Sequence, residues 1–218
     1  TYAEFDALVS RVAAGLRGLG VHEGDKVAVL ARNSHGFAAL RFALARCGAV
    51  LVPINFMLKA EEVAYILRHA GARTLATDRG LSELARAAAA LNTEVGAFIG
   101  LPSEDDESPI EGMTHLTDLA QCRDILPELR LTSTDVAQIV YTSGTESTPK
   151  GAMLTHRNMV ANTMQTHVWL MDFLRDQEGQ QVIVGALPMY HIFALTAIAM
   201  VWLHEGGKVV LITNPRDM

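Results

Sequence analysis

Residues 26–53, KVAVLARNSHGFAALRFALARCGAVLVP, carry the clearest structural pattern in this chain. Lys26–Ala31 and Ala49–Pro53 are short apolar runs rich in valine, which is typical of buried strands. Between them, Phe37–Cys47 is an apolar segment that ends at Gly48, as a buried helix would. A strand, a helix and a strand in this order predict a parallel sheet covered by helices.

The same alternation continues on both sides of this unit. Thr1 and Glu4 have the spacing of a capping box, and apolar residues then recur every three or four positions up to Gly20, which predicts a first helix. The other predicted elements are helices at about Ala60–His69, Leu81–Leu91, Thr155–Leu174 and Ile192–His204, and strands at about Arg73–Thr77, Val95–Ile99, Val136–Thr142, Ala152–Leu154, Val182–Leu187 and Lys208–Thr213. The fold class is therefore predicted to be α/β, with mainly parallel sheets covered by helices.

The composition indicates a globular, well-buried protein. Of the 218 residues, 50% are hydrophobic and 19% are charged, and 18 basic against 24 acidic residues give a formal net charge of −6. These values exclude a disordered chain, a collagen-like repeat, a disulfide framework and a strongly basic nucleic-acid binder. We therefore expect no nucleic-acid partner.

The start of the chain reads as a helix and not as a signal peptide, because it lacks a basic segment followed by an apolar one. Since there is no initiating Met, we expect further residues upstream. The two cysteines, Cys47 and Cys122, fit a reducing compartment. These features predict a cytoplasmic protein.

Two segments invite other interpretations. Residues 101–111, LPSEDDESPIE, combine two prolines with four consecutive acids and predict a solvated loop. Residues 182–203 are 22 positions without a formal charge, which is long enough to cross a bilayer. Pro188, Tyr190 and His191 in their middle instead favour a strand, a turn and a buried helix. We predict no integral membrane segment, and peripheral attachment to a membrane stays open.

The segment with the most chemical information is Tyr141–Gly151, YTSGTESTPKG. Its hydroxyls, its glycine and the single cation of Lys150 are groups that polyphosphate oxygens need, because backbone NH groups and a compact charge can surround an anion. It differs from a Walker loop, since Pro149 stands where the second glycine would be. From the residues alone, a polar Ser/Thr turn between strands remains equally open.

Four segments together resemble one known family. They are YTSGTESTPKGAMLTHRNMVAN at 141–162, TYAEFDALVSRVAAGLRGLGVHEGDKVAVLARNS at 1–34, CGAVLVPINFMLKAEEVAYIL at 47–67 and LPMYHIFAL at 187–195. The chain resembles the adenylate-forming, or AMP-binding, superfamily, and within it the acyl-CoA synthetase and fatty-acid-CoA ligase branch. The resemblance implies that residues 1–218 are part of the large N-terminal domain of such an enzyme, with the C-terminal domain absent. Within them we expect a first α/β part at 1–100, an acidic loop and connector at 101–135, and a phosphate-loop part at 136–218.

The resemblance implies a two-step reaction. A carboxylic acid, in this branch a fatty or related acid, attacks ATP to give an acyl adenylate and pyrophosphate, and coenzyme A then displaces AMP to give a thioester. ATP and coenzyme A are the expected co-substrates, and Mg²⁺ is the expected metal, with its ligand downstream of Met218. The expected partners are these small molecules, and a homo-oligomer is possible.

The resemblance also assigns roles to individual residues. Lys150 and His191 are the catalytic candidates, Tyr190 and His191 the substrate-binding candidates, and no metal ligand is assigned within the chain. The expected nucleotide-binding residues are Thr142, Ser143, Gly144, Thr145, Glu146, Ser147, Thr148, Pro149, Lys150 and Gly151.

The phosphate loop departs from the commonest family pattern at one place. Glu146-Ser147 stands where the family usually has Thr-Gly. A carboxylate there repels a triphosphate unless it points to solvent or meets a cation. A serine in place of glycine stiffens the loop. The affinity of this loop for ATP is therefore left open.

Other candidate residues are given structural interpretations. His156 is expected to serve the start of a helix, and no functional role is predicted for His22, His35, His69, His115, His167 or His204. The apolar stripe of Trp169, Leu170, Phe173, Leu174, Met200, Val201 and Trp202 is interpreted as core packing, with an acyl pocket as the alternative. No metal-binding cluster is visible in the sequence.

Three functional hypotheses follow. The first is part of an ATP-dependent acyl-CoA ligase, inactive as the isolated 218-residue chain because the remaining motifs of the family would lie downstream. The second is a non-catalytic nucleotide- or phosphate-binding module in which Glu146-Ser147 marks a decayed site. The third is an adenylating enzyme that passes its acyl group to a carrier protein or to oxygen.

Overall fold

The computed structural model describes residues 1–103, 108–124, 126, 129–142, 148–174 and 178–213. The helices are α1 (Tyr2–Gly18), α2 (His35–Arg46), α3 (Ala60–Ala70), α4 (Ser82–Ala89), α5 (Leu116–Leu119), α6 (His156–Leu174) and α7 (Val201–His204). The strands are β1 (Lys26–Leu30), β2 (Val50–Pro53), β3 (Thr74–Asp78), β4 (Ala97–Leu101), β5 (Thr114–His115), β6 (Val136–Thr142), β7 (Lys150–Thr155), β8 (Val182–Gly185) and β9 (Lys208–Leu211).

A seven-stranded sheet organises the molecule, in the order β5-β4-β3-β1-β2-β6-β7. Neighbouring strands run parallel except for β6 and β7, which are antiparallel. β8 and β9 form a separate parallel pair. This confirms the predicted α/β class with mainly parallel strands. The contact of β2 with β6 joins β6 and β7 to the sheet formed by the strands of residues 1–100.

The alternating side chains of β1 show why the central strands are apolar without interruption. Val27 and Val29 belong to a core that the sheet shares with α1, α2 and α5. Ala28 and Leu30 belong to a second core, which includes α3 and α4. A strand buried on both faces needs an apolar residue at every position, and each large apolar side chain buried in this way stabilises the fold by about 1.5–3 kcal/mol.

The predicted helix starts are also present. Thr1 and Glu4 form a reciprocal capping box at α1. At α6, the amide of Asn158 donates to Thr155 Oγ1 at 3.2 Å, and the amide of Thr155 donates to Asn158 Oδ1 at 2.9 Å. His156 is the first residue of α6, as expected. Burial and the nearby Arg41 lower the pKa of His156.

Two short elements lie inside the predicted connector, where periodicity gave no signal. β5 pairs with β4 through Ile99 and Thr114, and α5 packs on α1. A Cβ on Gly15 would lie 2.4 Å from the Leu119 carbonyl oxygen, so only glycine permits this close approach. The acidic residues at 104–107 lie outside the described residues.

The uncharged segment 182–203 forms β8, a turn and a helix, as predicted. The helix differs from expectation, because Ala194–Met200 is π-helical and the α-helical turn Val201–His204 follows it. None of the helices in the described ranges has the length and hydrophobicity that crossing a bilayer requires.

Candidate active site

A cavity of about 300 Å³ lies where β2 and β6 end. It is lined by Pro53, Asn55, Leu58, Ile66, Val140, Tyr141, Thr142, Pro149, Tyr190, His191 and Ile192. Open α/β sheets bind ligands at the carboxyl ends of their parallel strands. The cavity occupies such a position, and it brings the ends of the predicted phosphate loop together with the predicted Tyr190-His191 motif.

We call the first side of this cavity the phosphate wall, defined as residues 141–142 and 148–151. Thr142 ends β6 and is paired across the ladder with Lys150, the first residue of β7. Both side chains are exposed, and Thr142 lines the cavity whereas Thr148 and Lys150 do not. Within the described part of the chain, the Lys150 ammonium makes no ion pair. The predicted residues 143–147 lie outside the described residues.

Gly151 has a packing reason to be glycine. It stands opposite Tyr141 in the ladder, and a Cβ there would lie 2.8 Å from Ile139 Cγ2 and 3.1 Å from Tyr141 Cζ. Its missing side chain lets β7 approach β6 at the base of the loop. This local role is independent of nucleotide binding.

Helix α3 holds both ends of the phosphate wall. The Tyr65 hydroxyl donates to the Pro149 carbonyl at 3.1 Å, and His69 Nδ1 lies 2.7 Å from the Tyr141 hydroxyl. The rings of Tyr65 and His69 stack 5.5 Å apart. Partial burial, followed by the proximity of Tyr65, raises the pKa of Tyr141 to about 12. His69, for which the sequence predicted no role, therefore contacts the wall, and its four-residue spacing from Tyr65 was the available signal.

We call the second side the turn wall, defined as residues 187–192. The amide of His191 donates to the Pro188 carbonyl at 2.9 Å, and the amide of Phe193 donates to His191 Nδ1 at 3.2 Å. Because Nδ1 accepts this bond, a neutral His191 carries its proton on Nε2. The exposed imidazole therefore has an N–H donor available to a ligand.

Asn33 fixes the turn wall to the core. Asn33 is 3% exposed, and the two N–H groups of its Nδ2 are shared among the carbonyls of Gly185, Leu187 and Ile212, at 3.2, 2.9 and 3.1 Å. Its Oδ1 accepts the amide of Met189 at 2.6 Å. One buried amide thus connects the end of β1 with β8 and the turn. Sequence reasoning missed this residue because all of its partners are more than 150 positions away.

A second series of contacts positions the Tyr190 ring. Asp78, buried at the end of β3, accepts the Arg32 amide at 2.8 Å and Arg32 Nη1 at 3.2 Å. The Arg32 guanidinium lies 6.0 Å from the centre of the Phe56 ring, which meets the Tyr190 ring edge-on at 5.2 Å. These contacts fix the Tyr190 ring beside the cavity, and partial burial raises the pKa of its hydroxyl.

Comparison with known proteins identifies the family of the whole chain. The model of the family described as "AMP-binding enzyme" matches residues 1–218. The chain belongs to the AMP-binding enzyme family.

Two curated relatives and one solved structure illustrate the similarity. The chain is 31% identical to a long-chain-fatty-acid–CoA ligase of Escherichia coli O157:H7 over 93% of its own length, and 34% identical to a feruloyl-CoA synthase of Amycolatopsis sp over 97%. It spans 40% and 38% of the lengths of these relatives. The structure of ATP-bound MatB from Rhodopseudomonas palustris is similar with a TM-score of 0.78 and 31% identity, over 98% of this chain and 40% of that one.

In this member of the AMP-binding enzyme family, a larger apolar cavity adjoins the first. It has a volume of about 590 Å³ and shares Ile192 with the smaller cavity. Its apolar lining comes from Leu170, Ile183, Ile192, Phe193, Ile198 and Trp202. The π-helical segment forms part of its wall, and such segments are frequent at functional sites.

The apolar stripe predicted as core packing divides into different environments. Val201 and Trp202 are buried, as expected. Trp169 is 84% exposed, so the prediction is wrong for this residue, because α6 turns that face toward solvent. Leu170 lies instead in the larger cavity. The side chains of residues 173 and 174 lie outside the described set.

The described lining of the smaller cavity does not fit a Mg²⁺ site. It offers a threonine hydroxyl, an asparagine amide, tyrosine hydroxyls and an imidazole, and no carboxylate among the described residues. Mg²⁺ prefers carboxylate and phosphate oxygens in octahedral geometry. We therefore derive no step through this metal from these residues.

Proposed function

We propose that this chain forms part of an ATP-dependent acid–thiol ligase, which activates a carboxylic acid as an acyl adenylate and transfers it to coenzyme A. The observation that carries the proposal is the smaller cavity, where the phosphate wall and the turn wall of an AMP-binding enzyme face the same space. Both named relatives are CoA ligases or synthases. In the proposal, residues 1–218 are part of the large nucleotide-binding domain, and further groups of the site come from outside them.

The difficulty of the first step is electrostatic, since a carboxylate must approach an anionic triphosphate. Oriented donors and cations that stabilise the developing charge are the usual solution. In the proposal, Thr142 and Lys150, together with residues 143–149, hold the phosphates of ATP. His191 donates from Nε2 to an oxygen beside the reacting centre, and Tyr190 forms the neighbouring surface.

The larger cavity favours an apolar acid. Ile192 lines both cavities, and in the proposal a carboxylate in the smaller one extends its apolar chain or ring into the larger one. A cavity of this size and composition suits a medium-length acyl chain or an aryl acid. Of the two relatives, one is named a long-chain-fatty-acid–CoA ligase and the other a feruloyl-CoA synthase.

The test is acid-dependent exchange of labelled pyrophosphate into ATP, measured on the full natural chain that contains these residues. Acids from acetate to long-chain fatty acids and aryl acids are compared, and we expect exchange with apolar acids. ATP binding without exchange for any acid would overturn the proposal in favour of a non-catalytic module.

A separate experiment tests whether coenzyme A is the acceptor of the acyl group. Incubation with ATP, the preferred acid and coenzyme A is expected to yield the CoA thioester. Adenylate that accumulates with coenzyme A, but disappears when a carrier protein is added, would contradict this part of the proposal. The isolated 218-residue chain is expected to form no thioester, and a rate near that of the full chain would refute that expectation.

A further inference from the structure

Three side chains with metal-binding atoms converge on the side of the molecule formed by α6 and α7. They are His167 on α6, His204 at the end of α7 and Glu205, which follows it. Their ligand atoms all lie within 4.8 Å of one another. His167 Nδ1 is hydrogen-bonded to Glu205 Oε1, and the His167 and His204 rings meet edge-on with centres 4.8 Å apart.

We propose that His167, His204 and Glu205 bind a Zn²⁺ ion, at a site independent of the carboxylate activation proposed above. Two imidazoles and one carboxylate are a ligand set that Zn²⁺ uses in proteins. Ligand atoms of a tetrahedral zinc site are about 3.3 Å apart, since each bond is about 2.0–2.1 Å. The present ligand atoms already lie within 4.8 Å of one another, so only small side-chain rotations are required to reach that spacing.

The surroundings favour a cation here for two further reasons. The helical run from Ile192 ends at His204, and the C-terminal end of a helix dipole favours a nearby positive charge. The side chains of His167 and Glu205 are only 24% and 13% exposed, so they are largely ordered before a metal binds. His204 is exposed, so solvent reaches the three ligands.

Such an ion would connect two helices that are far apart in sequence. Leu170 of α6 and Trp202 of α7 both line the larger cavity, one turn or less from the ligands. In this proposal, Zn²⁺ stabilises the packing of α6 against α7 beside the larger cavity and lies outside it. This group could not be predicted from the sequence, because His167 is 37 positions from His204.

The experiment measures Zn²⁺ binding to the full natural chain by calorimetry, without ATP or acid, and Co²⁺ absorption as a spectroscopic probe. We expect one saturable site and a Co²⁺ spectrum without thiolate character. His204→Ala and Glu205→Gln are each expected to lower the affinity for Zn²⁺ by about tenfold or more. Because His204 is exposed, its replacement leaves the fold intact, which circular dichroism checks.

Controls separate this site from others. His22→Ala changes an exposed histidine elsewhere, and Cys122→Ser removes a partly buried thiol, and both are expected to retain wild-type Zn²⁺ affinity. Equal Zn²⁺ affinity in wild type, His204→Ala and Glu205→Gln would overturn the proposal, as would absence of saturable binding. Neither result bears on pyrophosphate exchange, so the two proposals fail independently.

Discussion

The two walls of the smaller cavity are held in different ways. The turn wall is held by Asn33, whose buried side-chain amide makes four hydrogen bonds to backbone groups. The phosphate wall is held at its ends by Tyr65 and His69 from α3, and its cation, Lys150, is exposed. Loss of the buried Asn33 amide should therefore destabilise the fold, whereas loss of the exposed Lys150 cation should alter chemistry in a folded protein.

The largest expected effect is on activity, at the phosphate wall. Lys150→Ala should lower acid-dependent pyrophosphate exchange by about 10²–10³-fold, because a cation that stabilises transition-state charge is removed. The free energy of unfolding should change by less than about 0.5 kcal/mol, since the side chain is exposed. Exchange kinetics and urea unfolding measure the two quantities.

The matched control is Lys208→Ala, which removes an exposed lysine at the start of β9. It should leave both exchange and stability unchanged. Equal losses of exchange in the two variants would show that Lys150 acts only through net charge.

The next effect is on stability, at the turn wall. Asn33→Leu should lower the free energy of unfolding by about 3 kcal/mol, because it leaves the buried Met189 amide without its acceptor and removes the donor from the partly buried carbonyls of Leu187 and Ile212. Urea unfolding measures the loss. Gln121→Leu makes a comparable change at an exposed position and should cost less than about 0.5 kcal/mol. If both variants were equally stable, the distinction between the walls would fail.

A smaller effect is expected from Tyr65→Phe. The variant loses one hydrogen bond to the Pro149 carbonyl but keeps the ring stacked on His69, so the free energy of unfolding should fall by about 1 kcal/mol. The KM for ATP should rise while that for the acid stays unchanged. A rise in the acid KM alone would contradict the assignment of Tyr65 to the phosphate wall.

The smallest effect concerns alkaline pH. The pKa of Tyr141 is about 12 in the folded protein and near 10 when unfolded, so the folded state resists its ionisation. This contribution to stability is complete below pH 10 and is lost as the pH rises toward 12. Partial exposure keeps it small. Tyr141→Phe should flatten the decline in the free energy of unfolding between pH 10 and 12, which urea unfolding measures. An unchanged decline would contradict the raised pKa of Tyr141.

The sequence predicted the sheet well because most of its strands are buried on both faces and its helices have clear apolar periodicity. β5 and α5 escaped prediction because two and four residues are too short to show a period. The two cavity motifs could be recognised as local patterns. Asn33, Arg32 and the His167 group could not, because their importance depends on contacts between segments far apart in sequence. Trp169 shows the converse, since an apolar residue at helical spacing does not establish burial.

In the proposed function, the turn wall serves the carboxylate and the phosphate wall serves ATP. The direct test is the pair of KM values for His191→Ala in the full natural chain, with His22→Ala as the control. We predict that the KM for the acid rises by about tenfold or more while the KM for ATP stays within about twofold. An unchanged KM for the acid, or a rise in the KM for ATP alone, would contradict this assignment of the two walls.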